Sequence, residues 1–188
     1  MSIEHPEFPR EQLHIHRAAA ALETMQETER ANAGRAGVGG SMRMTERELP
    51  LLREYFLRGG TAMMDDFHGP YEWDAFAREM KRLFPDREIV EVPRDHPVFE
   101  AFYKIDGYPQ VAGLGSFLQG RTWERGGVLP HLRTILDDAG RPMMFINWNT
   151  DMGDGWEWSN AEDYPGYIRY TSLAYRMGIN EIVYTLTH

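Results

Sequence analysis

Apolar residues recur along this chain with two different spacings, and the switches between them mark its elements. From Thr45 onward, Leu49, Leu52 and Phe56 fall three and four apart, which predicts an amphipathic helix. Thr45 and Glu48 supply the pattern of a capping box, and Gly59-Gly60 supplies the stop. Thr61 to Met64 is a short apolar run between turn residues and reads as a buried strand ending at Asp65. Pro70 then opens a second helix, whose stripe is Trp73, Phe76, Met80 and Leu83 or Phe84, with Pro85 closing it. Glu88 to Val92 alternates and predicts the next strand, completing a β-α-β unit with parallel pairing and a right-handed crossover.

The second half follows the same logic. Asp95-His96-Pro97 opens a short helix through Phe102, and Val111 to Gly127 is a glycine-rich loop. His131–Asp137 and Arg141–Trp148 are strands joined by Asp138-Ala139-Gly140, a hairpin signal. Pro165 to Met177 predicts a helix with Gly178 at its C-cap, and the alternation of Ile182, Tyr184 and Leu186 predicts a final strand. The pattern therefore describes one α/β domain over residues 41–188, a three-layer α/β/α arrangement with a largely parallel sheet. Met63, Met64, Phe76, Met80, Phe145, Ile182 and Tyr184 are its expected core. Residues 1–40 read as a loosely packed extension. Ala18 to Leu22 favours helix but the stripe is thin, and Gly34 to Ser41 is a glycine-rich link. Gly37-Val38-Gly39-Gly40 follows no strand and precedes no Lys-Ser/Thr, so it is not a phosphate cradle.

Composition narrows the chemistry. A net charge of −9 repels phosphate backbones and argues against nucleic-acid partners. The chain has no cysteine, which removes disulfides, thiolate metal sites and cysteine nucleophiles. No run of about 18 apolar residues is present and Met1 to Arg17 is polar, so neither a membrane span nor a signal peptide is expected and the location reads as cytoplasmic.

In an open α/β sheet, loops at the carboxyl ends of parallel strands line the ligand crevice. Two such loops are rich in carboxylates: Asp65-Asp66-Phe67-His68-Gly69 and Asn149 to Trp158. Asp65, Asp66, His68 and Asp154 are the candidate catalytic residues, as a carboxylate–histidine acid–base set. Alternation sends Asp65 and Asp66 to opposite faces, leaving one to enter the crevice and the other to cap the helix at Pro70. The blander reading has these acids capping turns and His68 packing on Trp73. Trp73, His96, Asn149, Asp151, Trp156, Glu157 and Trp158 are candidate ligand-binding residues, since aromatic rings interleaved with acids suit a sugar or a cation. Core tryptophans beneath a solvated acidic turn would give the same pattern. An oxygen-rich set could hold a divalent metal. The calcium-loop spacing is nevertheless not met around Asp151 and Asp154, so no metal site and no cofactor is assigned. Ser116 is the nearest approach to a nucleophile motif, but it lies on a loop.

Several of these segments carry a resemblance. Arg53 to Gly60, Met64-Asp65-Asp66-Phe67-His68-Gly69, Phe84 to Val90, Asp95-His96-Pro97, Gly153 to Trp158 and Leu173 to His188 resemble the bacterial family known as domain of unknown function 4159. The resemblance spans about Ser41 to His188. It implies a flavodoxin-like fold similar to class I glutamine amidotransferases and trehalose-utilisation proteins, and it implies no activity. Family members carry a further strand between an early Tyr-Pro-Arg-like helix and the helix at Thr45. Here Phe8-Pro9-Arg10-Glu11 echoes that early helix, while the strand is missing and an edge is left unpaired. The expected function is a small-ligand-binding or accessory domain, with a small molecule or a protein as partner. The alternative is a hydrolase-like enzyme acting on a sugar-derived or other small substrate.

Overall fold

A computed structural model describes residues 42–159, 162 and 164–188. The expected extension over residues 1–40, with its glycine link, lies outside the described residues. The elements are α1 (Glu48–Leu57), β1 (Ala62–Phe67), α2 (Gly69–Leu83), β2 (Ile89–Glu91), a 3-10 turn (Pro97–Glu100), α3 (Leu114–Leu118), β3 (His131–Leu136), β4 (Pro142–Trp148), α4 (Met152–Glu157), a second 3-10 turn (Pro165–Tyr167) and α5 (Ile168–Thr187). The start of α1 is the expected capping box. Glu48 N–H donates to Thr45 Oγ1 at 3.3 Å, and Thr45 N–H donates to Glu48 Oε2 at 2.6 Å. Gly59 then takes a φ of 102°, which ends the helix at little cost only because it is glycine.

The sheet is mixed rather than largely parallel. Its strand order is β1-β4-β3-β2, with β1 and β4 parallel and both other pairings antiparallel. The hairpin turn dictates this. Asp137 Oδ1 accepts from the backbone N–H groups of Ala139 and Arg141, both at 2.9 Å, and Arg141 Nε returns to Asp137 Oδ2 at 2.9 Å. That turn seats β3 antiparallel on one side of β4 while β1 takes the other side. The expected β1–α2–β2 parallel neighbours are therefore separated by two strands, and β2 is a three-residue edge.

Alternation along the strands divides the apolar residues into two cores. Ala62, Met64, Met144 and Ile146 pack with Phe56, Phe76, Met80 and Leu83 of α1 and α2. Leu132 and Phe145 pack with Met152, Tyr170, Ala174 and Met177 of α4 and α5. Met63 joins this second core from β1. Of the seven expected core residues, Met64, Phe76, Met80 and Phe145 are buried, Met63 and Tyr184 are half-buried, and Ile182 is 52% exposed.

That exposure reflects a second correction. The chain from Ile168 to Thr187 is one 20-residue helix, with no final strand. Gly178 sits inside it and does not cap it. A Cβ there would stand 2.7 Å from the Trp156 ring, so the missing side chain lets α4 lie against α5. Gly155 of α4 makes the reciprocal contact. Its Cβ would collide with that of Ala174, which is fixed to the α5 backbone, and would lie 3.1 Å from Val111 Cγ1.

Gly155→Ala tests this close packing. By propensity the change should stabilise a helix by about 1 kcal/mol. Overpacking against Ala174 should outweigh that gain, for a net loss of about 1–2 kcal/mol measured by urea unfolding. A variant more stable than the parent would show that α4 and α5 do not approach this closely.

Candidate functional site

Because β1 and β4 run parallel with Phe67 abreast of Trp148, the segments that follow them leave the sheet at one edge. The register of β1 slips between Met64 and Phe67, and Asp66 takes a φ of 57°. This bulge turns Asp66 outward, with its side chain 69% exposed, and leaves Asp65 on the α4–α5 face beside Met63. After β4 the chain turns at Asn149, φ 64°. Its side chain accepts from Gly69 N–H at 2.9 Å and donates to Leu129 O at 2.7 Å, joining the end of β4 to the start of α2.

Four carboxyl groups gather where α4 begins. Asp151 caps α4 by accepting from Asp154 N–H at 2.8 Å. Asp65 reaches across from β1 to accept from Gly153 N–H at 2.7 Å. Asp154 Oδ2 accepts from Leu114 N–H at 2.7 Å, which holds the start of α3 against the cluster. Glu124 completes it, steadied by the Ser116 hydroxyl at 3.0 Å. Gly113 forms the floor. A Cβ at this position would lie 2.6 Å from Glu124 Oε1, 2.8 Å from Asp151 Oδ2 and 3.5 Å from Asp154 Oδ2. None of these four acids is in an ion pair among the described residues, and Asp65 Oδ1 is buried without a hydrogen-bond partner.

The electrostatics follow from that crowding. Removal from water pushes the Asp65 carboxyl up to about 7, against the pull of the Gly153 N–H bond. Asp151 rises to about 9, first through burial and then through the negative charges of Asp66, Asp154 and Asp65. Beneath them lies a buried polar chain. The Tyr108 hydroxyl donates to Asn147 Oδ1, and Asn147 Nδ2 donates to Glu181 Oε2 at 3.3 Å. Burial raises both Tyr108 and Glu181 well above their ordinary values, so both are neutral. Tyr167, raised by burial and by Asp154 and Asp151, closes the side of the cluster by donating to Ala112 O at 2.6 Å.

The family described as domain of unknown function (DUF4159) matches residues 36–186. The chain belongs to this family. No curated protein matches it.

Within this DUF4159 domain the sequence-derived candidates divide. Asp65, Asp151 and Asp154 meet, Asp66 acts on Asp65 and Asp151 through its charge, and Trp158 joins by donating from Nε1 to Asp154 Oδ1 at 3.3 Å. The others serve elsewhere. His68 is 1% exposed beside the first turn of α2, its Nε2 3.6 Å from Asp66 Oδ1 and both ring nitrogens without a hydrogen-bond partner. His96 caps the first 3-10 turn, accepting from Val98 N–H, and packs at a tilt against Tyr184. Trp73 pairs with Trp148 on the other face of the sheet, where the Arg133 guanidinium lies 4.1 Å from one ring centre and 4.6 Å from the other. Trp156 packs on Gly178, and Glu157 is exposed. A groove of about 340 Å³ between α2 and β2, lined by Met80, Arg87, Ile89 and Ile135, opens at the opposite end of the sheet from the acids. Glu124, Tyr108, Asn147 and Glu181 carry no local motif. Asn147, a polar residue closing the apolar run Met143 to Ile146, was the one visible signal.

Both raised carboxyls bind protons more tightly in the folded chain than in the unfolded one. Between about pH 4 and 9 the native state therefore carries more protons, and stability falls as pH rises through about 7 for Asp65 and about 9 for Asp151. Asp151→Asn keeps a capping oxygen. It should flatten the decline and raise the unfolding free energy at pH 9 by about 1–3 kcal/mol. A stability that rises from pH 5 to 9 in the parent would overturn this assignment.

Proposed function

We propose that this domain binds a small cationic ligand, of the primary-amine or amidine class, in the crevice formed by Asp65, Asp151, Asp154 and Glu124. One observation carries the reading: Glu124, Asp151 and Asp154 converge around the bare Cα of Gly113 and Asp65 meets Asp151 at Gly153, with no basic side chain paired to any of the four among the described residues. Such a cluster is unfavourable when empty and ionised, and a bound cation supplies the missing charge. Trp158 flanks the acids and offers aromatic surface to the ligand's carbon skeleton. Among the described residues no three acids or histidines stand in metal-ligating geometry. Helices with a core on each face of the sheet support the α/β/α reading of the fold, as in ligand-binding domains whose crevice lies at the carboxyl edge.

The hydrolase-like reading rests on Asp65, whose carboxyl at about 7 suits proton transfer at neutral pH. It would run on carboxyl groups, since His68 points its unpartnered ring toward Asp66 and His96 packs on Tyr184.

Calorimetry with putrescine and agmatine, against glucose and maltose, tests the proposal. A cation stabilises the ionised carboxylates, so binding at pH 7.5 should release protons. The apparent enthalpy should then change between phosphate and Tris buffers, and Asp151→Asn should reduce the release. Binding of the neutral sugars with no proton release would contradict a cationic ligand.

A further inference from the structure

Two of the acids at the head of α4 are closed off from solvent. Asp151 is 7% exposed and Asp65 Oδ1 is buried, so a ligand that contacts both needs a neighbouring segment to move aside. The chain after α3 supplies one. Arg121, Thr122 and Arg125 are exposed, and Trp123 and Glu124 are half-buried, so none of the five anchors the segment in a core. The contacts that hold it down are polar. The Ser116 hydroxyl, on a residue 4% exposed, lies 3.0 Å from Glu124 Oε1 and 3.4 Å from Trp123 O. Ser116 O accepts from Arg121 N–H at 2.9 Å, and Thr122 Oγ1 donates to Gln110 Oε1 at 2.9 Å. Segments held by exposed polar contacts, with little apolar burial, open at lower cost than the core.

The backbone marks both ends of this segment. Gly120 (φ 73°) precedes it and Gly126 (φ 86°) follows it. Beyond Gly126 the chain is fixed, since Gly127 is buried and its carbonyl accepts from Gln110 Nε2 at 3.1 Å. Within the segment Arg121 lies over the Trp123 ring at 5.3 Å, so the residues pack on one another as one piece. Arg125 takes a φ of 45°, and Gly127 N–H closes the turn around it by donating to Glu124 O at 2.6 Å. A turn with two positive φ angles suits glycine, asparagine or aspartate, and arginine is strained there. Such strain persists where surrounding contacts over-determine it, and it collects at ligand clamps and switches. Two contacts hold Arg125. Its guanidinium pairs with Glu72 in the first turn of α2, and its carbonyl sits where a Cβ on Gly69 would collide with it. The other non-glycine residues with positive φ among those described, Asp66 and Asn149, stand at the same sheet edge.

We propose that Arg121–Arg125 is a hinged flap over the acid crevice, turning on Gly120 and Gly126 and latched by the Arg125–Glu72 pair. The flap serves the ligand site proposed above and rests on that reading. Hinges of this kind are a few loop residues that absorb the backbone change. Opening withdraws Glu124 from Gly113 and uncovers Asp151. In the empty crevice Asp151 and Asp154 repel Glu124, and the latch offsets that repulsion. A bound cation replaces the repulsion with attraction and holds the flap shut.

The absence of cysteine gives a direct readout. Ser116→Cys places a single thiol beneath the flap, and its rate of reaction with a neutral maleimide reports opening. Glu72→Gln or Arg125→Gln should raise that rate about fivefold or more at unchanged Tm. Glu72→Gln keeps an acceptor for His68 N–H, which Glu72 Oε2 serves in the parent. The two substitutions change the local charge in opposite directions, so acceleration by both reports opening rather than altered thiol reactivity. Because both break one contact, the double variant should label no faster than the quicker single variant. Putrescine should slow labelling. With Ser116 intact, tryptic cleavage after Arg121, mapped by mass spectrometry, should rise in the same two variants.

A labelling rate that neither variant moves, or two effects that add, overturns the flap. So does a thiol that reacts in the folded parent as fast as free cysteine. If Ser116→Cys does not fold, equal tryptic cleavage after Arg121 in the parent and both variants overturns it instead. Latch-dependent labelling that putrescine leaves unchanged supports the flap and counts against a cationic ligand.

Discussion

One hydrogen bond across two strand ends organises the functional edge of this molecule. Asp65, at the close of β1, accepts from Gly153 N–H at 2.7 Å, and Gly153 belongs to the helix that follows β4. The parallel pairing of β1 and β4 delivers both groups to the same edge. The bulge at Asp66 leaves Asp65 aimed at α4 when strict alternation alone would fix only its face. Asp151 then caps the same helix, Asp154 holds α3, and Glu124 arrives on the loop that α3 begins. Without the Asp65 contact, the first turn of α4 would keep one of its amide groups unpaired and the acids would not share one place.

The same arrangement explains why the site is electrostatically tense. Each carboxyl is satisfied on one side by a backbone N–H or hydroxyl, yet Glu124, Asp151 and Asp154 face one another at Gly113 and Asp65 faces Asp151 at Gly153. Backbone bonds lower a carboxyl's proton affinity, while burial and like charges raise it. For Asp65 and Asp151 burial outweighs the bonds. The neutral Tyr108–Asn147–Glu181 chain below adds no countercharge. Relief has to come from protons or from a bound cation, and the cation is the reading we favour.

The sequence made some of this legible and hid the rest for identifiable reasons. Local signals worked where one residue type decides a backbone event: the capping box at Thr45, the stop at Gly59, the hairpin at Asp137–Arg141 and the opening of α2 at Pro70. Pairing direction failed, because a strand–helix–strand pattern does not specify which strands become neighbours, and the hairpin claimed the position next to β4. Beyond Met177 the pattern misleads for a packing reason. Gly178 resembles a helix stop but serves the approach of Trp156, and an apolar outer face on α5 erases the polar positions that normally reveal a helical period. Asp65, Asp151 and Asp154 were visible as acids at strand ends. Glu124 and Glu181 were not, since only the folded chain brings those distant positions to the sheet edge. His68 and His96, attractive as acid–base candidates, are held apart from the cluster by the first turn of α2 and by Tyr184.

The central claim is that Asp65 and Asp151 share a crowded, cation-deficient site at the head of α4. Carbon-13 NMR titration of the aspartate carboxyl carbons, assigned with Asp65→Asn and Asp151→Asn, tests it most directly. The account expects one carboxyl titrating near 7 and one near 9, both moving down when putrescine is present. Two carboxyls titrating at about 4, as in an open peptide, and unmoved by putrescine would contradict it.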